Sequence, residues 1–227
     1  MEHEFLQLEL ILWIGVLIIV FLGFLVIYMK YKSDKTKYLM GIALFFALFF
    51  VARICSFVNY YILGFKGDIY LFDDLFVHPE WFWLQFGYNE FSYGGAFILY
   101  FVLERYVIKT KYFFSVCTVI IAVLSSLNYL IIMDLTTIQV PFYLIVLLGL
   151  PSIYLYLAIK SSGNIRLNSS IICIGILIYE IGMALSIPEA QMLLWSNFMP
   201  CLVYEICGPL FQIIGGIIMI NGFVRIK

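Results

Sequence analysis

WFWLQFGYNEFSYGGAFILYFVLERYVIKTK, residues 81–111, opens on tryptophans, carries a carboxylate at Glu90 inside an apolar run, and ends in Glu104-Arg105-Tyr106 beside Lys109 and Lys111. From Trp81 to Val107 the side chains show no strict alternation, so the segment reads as a helix rather than as a barrel strand. A helix satisfies its own backbone hydrogen bonds, which lipid demands of any crossing segment. At about 1.5 Å per residue it is long enough to cross a hydrocarbon core of roughly 30 Å. This one stretch therefore sets the fold class, an all-α integral membrane protein, and raises two functional questions: what Glu90 does inside the apolar run, and what the charged triplet does at its end.

Working outward, six further apolar runs fall at about 8–29, 38–63, 112–133, 140–159, 169–187 and 199–224. With 81–107 they predict seven transmembrane helices that fill a single domain, 1–227, with no room for a soluble one. Composition agrees. The chain is 64% hydrophobic and only 12% charged, with a mean hydropathy of +1.05, which excludes a soluble domain of ordinary usage. The five cysteines lie in or beside apolar runs and form neither a disulfide framework nor a metal-ligand spacing.

Orientation is read from the cations, which are retained on the cytoplasmic side. Eleven of the 13, including Lys30, Lys32, Lys35, Lys37, Arg105, Lys109, Lys111, Lys160, Arg166, Arg225 and Lys227, fall on one side of a seven-helix arrangement. That places the N-terminus outside and the C-terminus in the cytoplasm. The acidic start, Met1-Glu2-His3-Glu4, lacks the basic character of a signal peptide, so the first helix is expected to be retained. The one substantial loop, Gly64–Glu80, is then outer. Its Asp68, Asp73, Asp74 and His78 are read as a solvated acidic face rather than a metal site, because no ligand spacing marks them.

Four ionisable residues lie inside the spans: Arg53, Glu90, Glu180 and Glu205. Each costs about 2.5–3.5 kcal/mol on insertion scales when it faces lipid, so all should face inward. Counting residues from the outer ends places them at similar depths, roughly 9–15 Å below the outer surface. Asn59, Gln85, Asn89, Tyr179 and Gln212 join them in a predicted outward-facing polar pocket. Three carboxylates against one guanidinium would leave a net charge of −2 if all ionised. A desolvated site resists that, so at least one carboxyl is expected to hold its proton at neutral pH. The competing reading is structural. Glu205, Gly208, Gln212, Gly215 and Gly222 share one helix face, as do Gly175, Tyr179, Gly182 and Ser186, and stripes of small residues also serve packing.

Glu104-Arg105-Tyr106 at the inner end of the third helix resembles the acid-Arg-Tyr triplet of rhodopsin-like G-protein-coupled receptors, which implies an inner effector end. The resemblance covers the triplet and the topology. The seventh helix reads Ile218-Met219-Ile220-Asn221-Gly222-Phe223 where those receptors carry Asn-Pro-x-x-Tyr, and the sixth lacks their Trp-x-Pro hinge. Length and topology are also similar to microbial rhodopsins, but no lysine lies between Pro200 and Val224, which excludes covalent retinal. No other cofactor is implied. Sugar transporters built from two three-helix repeats share the size and topology.

No histidine lies in a span, and no serine or cysteine stands beside an evident base, so catalysis is not expected. The leading expectation is a sensor or receptor-like protein of the cell membrane that binds a small polar or cationic ligand, or a proton. Its partners would be the bilayer and a membrane or cytoplasmic protein, with no nucleic acid. A proton-coupled small-solute transporter and a structural subunit of a membrane complex are the alternatives.

Overall fold

The computed structural model describes residues 2–63, 79–131, 135–186 and 201–225. Seven α-helices follow one another: α1 (Glu2–Asp34), α2 (Lys37–Phe57), α3 (Pro79–Tyr106), α4 (Phe113–Ile131), α5 (Thr136–Lys160), α6 (Gly163–Leu185) and α7 (Cys201–Arg225). A turn of π-helix, Val58–Ile62, continues α2. Among the described residues there is no strand. Several helices outrun their apolar stretches. Hydropathy locates the part of a helix suited to lipid, whereas residues such as Lys30 and Lys32 are good helix formers that prolong α1 into a polar setting. That helix stops where Lys35 turns left-handed (φ 56°) and its amide donates to the Tyr31 carbonyl (2.7 Å). Only Lys35 and Thr36 separate α1 from α2.

Among the described residues, five of the seven helices are long and apolar enough to cross a membrane: α1, α2 with its π turn, α5, α6 and α7. The other two fall short for reasons legible in their residues. Helix α3 carries Gln85, Asn89, Glu90 and Ser92 between its tryptophans and its apolar half, and the apolar part of α4, Phe113–Asn128, is shorter. The solvent-accessible surface is itself apolar. Ile11, Ile62, Leu148 and Ile159, on α1, the π turn of α2 and α5, are more than half exposed, an arrangement unfavourable in water and ordinary against lipid tails.

The chain forms two compact units, residues Met1–Gly23 with Leu150–Lys227, and residues Phe24–Gly149. In the first, α6 and α7 run antiparallel and meet through a heptad pattern. Asn168, Ile172, Gly175, Tyr179, Gly182 and Ser186 on α6, and Gly208, Gln212, Gly215, Met219 and Gly222 on α7, are spaced alternately by four and three residues. That repeat keeps one seam of each helix facing the other along its length. The glycines bring backbone against backbone. A Cβ on Gly175 would lie 2.5 Å from the Met219 amide nitrogen and 2.9 Å from the Gly215 carbonyl oxygen. One on Gly215 would lie 2.5 Å from the Tyr179 nitrogen, and one on Gly182 would lie 2.6 Å from the Gly208 oxygen. At one end of the seam the Asn168 amide donates to the Arg225 carbonyl (3.0 Å). Helix α1 lays Ile19 on Gly216 of α7, and Tyr154 of α5 meets Phe223 edge-on at 5.9 Å.

In the second unit α2 and α3 are antiparallel neighbours, with Gly41 of α2 against Val102 of α3 near one end and Gly87 of α3 beside Cys55 near the other. Helix α4 returns along α3. The Tyr100 ring stacks on Phe114 (5.3 Å) and its hydroxyl donates to the Val146 carbonyl of α5. Gly149 leaves the space this ring pair needs, since a Cβ there would lie 2.6 Å from the Tyr100 oxygen and 2.8 Å from Phe114.

Candidate functional site

The α2–π-turn segment has no proline or glycine between Val51 and Leu63 that would break a helix. Its last turn nevertheless widens at Val58–Ile62, and the Leu63 amide reaches the Val58 carbonyl (3.0 Å), five residues back. Widened turns of this kind recur at functional sites. Asn59 lies in this turn. It is buried, and its amide oxygen has no hydrogen-bond partner among the described residues. A buried acceptor without a donor costs about 1–3 kcal/mol, so such a group is an invitation to a donor brought from outside the chain.

One and a half turns earlier on the same helix, roughly 9 Å along its axis, Arg53 is buried with its guanidinium over the rings of Phe49 (5.0 Å) and Tyr88 (5.9 Å). Aromatic faces stabilise a cation withdrawn from water. Tyr88 belongs to α3, two residues before Glu90. The Glu90 carboxylate, half-buried, accepts a hydrogen bond from Ser126 Oγ of α4 (3.0 Å). Ser126 Oγ also reaches its own helix at the Ala122 carbonyl (2.9 Å). Gln85 and Asn89 lie half-buried on α3 in the same unit. The second unit thus assembles Arg53, Asn59, Gln85, Asn89 and Glu90 on adjoining helices and adds Ser126, which sequence reasoning missed. The signal was present as Ser125-Ser126 with Asn128, a polar cluster that follows the apolar run Val119–Leu124 of α4.

The first unit holds Tyr179, Glu180 and Gln212. Glu180 is half-buried on α6, next to a seam already filled by α7. Tyr179 and Gln212 are seam residues. Gln212 is fully buried, and its Nε2 donates to the Gly182 carbonyl (3.3 Å) and to Ser186 Oγ (3.1 Å), which in turn donates to Gly182 (2.9 Å). Its Oε1 has no partner among the described residues, but the glycine contacts around it are at backbone distance. The Glu205 side chain and the acidic loop 64–78 lie outside the described residues. Glu9 on α1 is buried.

No family model, characterised protein or solved structure matches this chain. Its chemistry has to be read from its own side chains.

The triplet ending α3 divides into two roles. Glu104 is buried, and both carboxylate oxygens are engaged by the start of α4. Oε1 accepts from Thr110 Oγ1 (2.6 Å) and the Phe114 amide (2.9 Å), and Oε2 accepts from the Ser115 amide (3.0 Å) and the Ser115 hydroxyl. The physical need is plain. The first amides of a helix have no carbonyl partner within it, and Lys111-Tyr112, both left-handed (φ 55° and 63°), put no capping side chain directly before Phe113. A carboxylate from the preceding helix supplies the cap, and its charge also complements the positive end of the α4 dipole. Arg105 and Tyr106 are exposed, the guanidinium lying 5.9 Å from the Tyr106 ring and 6.0 Å from Phe101. Glu104 therefore fixes the α3–α4 joint, and the exposed part of the triplet is Arg105-Tyr106.

Proposed function

We propose that this chain is a membrane-embedded sensor whose second unit binds a small polar or cationic molecule, or a proton, between α2, α3 and α4. The observation that carries the reading is the Asn59 amide oxygen, buried on a π-helical turn without a hydrogen-bond donor among the described residues. Glu90, held by a single hydroxyl from Ser126, offers further acceptor capacity to a ligand rich in N–H or O–H groups. Both residues are acceptors, which favours an amine, amide or polyol over an anion. The cation distribution of the sequence favours a cell-membrane location with the N-terminus outside, and this unit would then open outward. Occupancy would be felt along α3, whose far end carries the buried Glu104 cap and the exposed Arg105-Tyr106. A membrane or cytoplasmic protein reading that end would complete the signal, since no soluble output domain is present among the described residues.

The test is a thermal-shift screen of the protein in lipid nanodiscs against small amines, amides and polyols and across pH. A compound that raises the melting temperature of the wild type, with the shift lost in Asn59→Leu and Glu90→Gln and no flux into liposomes, is the expected result. Uptake that disappears in Glu90→Gln would replace sensing with proton-coupled transport. Constant co-purification with other membrane subunits, and no response to small molecules, would replace it with a structural role.

A further inference from the structure

The end of the second unit opposite the Asn59 turn carries a different chemistry. Gly41 against Val102 brings the beginning of α2 beside the end of α3, so the α1–α2 and α3–α4 turns lie at one end of the unit. On them Lys32, Lys35, Lys37, Arg105, Lys109 and Lys111 are all exposed. The exposed acid among them is Asp34, because Glu104 is buried and occupied by the α4 cap.

These cations stand directly at the border of the apolar surface. Met29 is 61% exposed and Phe113 is 52% exposed, each within a few residues of the lysines. The Lys32 ammonium lies over the Tyr28 ring (5.0 Å), that of Lys35 over Tyr31 (5.9 Å) and the Arg105 guanidinium over Tyr106 (5.9 Å), so these charges sit beside aromatic rings at the border of the apolar surface. Long basic side chains adopt that posture where hydrocarbon gives way to headgroups. The turns themselves are short, with Lys35, Lys111 and Tyr112 in the left-handed region.

We infer that this collar is a binding surface for anionic phospholipid headgroups, with the phosphates of one leaflet seated among the six cations. This is independent of the pocket proposed at the other end. The experiment uses the full-length protein in bilayers of mixed phosphatidylglycerol and phosphatidylcholine, with spin-labelled lipids reporting which species is held at the protein surface. Each cation near an anionic leaflet is worth about a five-fold gain in association. A several-fold preference for phosphatidylglycerol is therefore expected, falling toward unity as salt is raised. It should also fall in a variant carrying Lys32→Gln, Lys35→Gln, Lys109→Gln and Lys111→Gln. Because removing four lysines can disturb insertion, the salt series on the wild type carries the same test without any substitution. Equal retention of the two lipids by the wild type at low salt overturns the inference. So does competition by inorganic phosphate stronger than by chloride at equal ionic strength, which would mark a soluble-anion site instead.

Discussion

The two antiparallel helix pairs of this protein both use glycine, and they use it differently. Between α6 and α7 a methyl group on Gly175, Gly182 or Gly215 would run into backbone atoms at 2.5–2.6 Å, which no rotamer change relieves. Between α2 and α3 the tight contact is at one end, where a methyl on Gly41 would run into the Val102 side chain; farther along, one on Gly94 would meet Leu48 at 3.7 Å and one on Gly87 would meet Cys55 Sγ at 3.5 Å, ordinary contact distances with side chains. The first pair is held by backbone proximity in a continuous heptad seam. Toward Gly87 the second is spaced by side chains, and near that looser end the chain places a buried guanidinium, a π-helical turn and an amide oxygen with no donor among the described residues. Close packing excludes a ligand and confers stability. Looser packing around polar groups gives up stability and leaves room for one.

The comparison breaks most visibly at Gly215. Gly215→Leu should cost about 3 kcal/mol or more by overpacking the α6–α7 seam, read as lost resistance to unfolding in mixed micelles; a variant as stable as wild type would mean the seam is not close-packed. Glu104→Ala comes next. It strands the Phe114 and Ser115 amides at the start of α4 and should cost about 2–3 kcal/mol, with Glu104→Gln intermediate because one acceptor oxygen is kept. Hydrogen exchange localised to Phe113–Ser115 would confirm where the loss occurs. Asn59→Leu sharpens the other side. Removing a buried acceptor without a donor should leave stability within about 1 kcal/mol of wild type or raise it, while abolishing the ligand response; a loss comparable to Glu104→Ala would show that Asn59 is structural. Gly94→Ala should be the smallest effect. Its added methyl makes normal contact, and the gain in helix propensity of roughly 1 kcal/mol makes it neutral to slightly stabilising by thermal melt.

Much of the fold was legible before any coordinates. Apolar run length located all seven helices, because a lipid-facing segment must carry its apolarity continuously, and the errors were at ends such as Lys30–Asp34, where helix and hydropathy part company. The seam faces of α6 and α7 were also visible as periodic glycines, but period alone does not say whether a stripe meets another backbone or a ligand. Here it meets backbone. The sequence reading assigned Tyr179 and Gln212 to a pocket, and the α6–α7 register places them in packing contact. Glu104 escaped notice as a cap because its partners, Phe114 and Ser115, become neighbours only once the 107–112 turn folds back. A clue was available in the absence of Ser, Thr, Asp or Asn at Lys111-Tyr112, which leaves the first amides of α4 in need of a donor's counterpart from elsewhere. The π turn had no sequence mark at all, since Ser56-Phe57-Val58-Asn59-Tyr60-Tyr61 reads as plain helix.

The central claim is that the surroundings of Asn59 admit a small polar molecule and the α6–α7 seam does not. Cysteine accessibility tests it directly: in a background without native cysteines, Asn59→Cys and Gln212→Cys are exposed to a small water-soluble methanethiosulfonate, and the modified fraction is followed with time. The account predicts that position 59 reacts and is protected by bound ligand, while position 212 stays inert in the folded protein. Equal inertness at both positions, or faster reaction at 212, would contradict it.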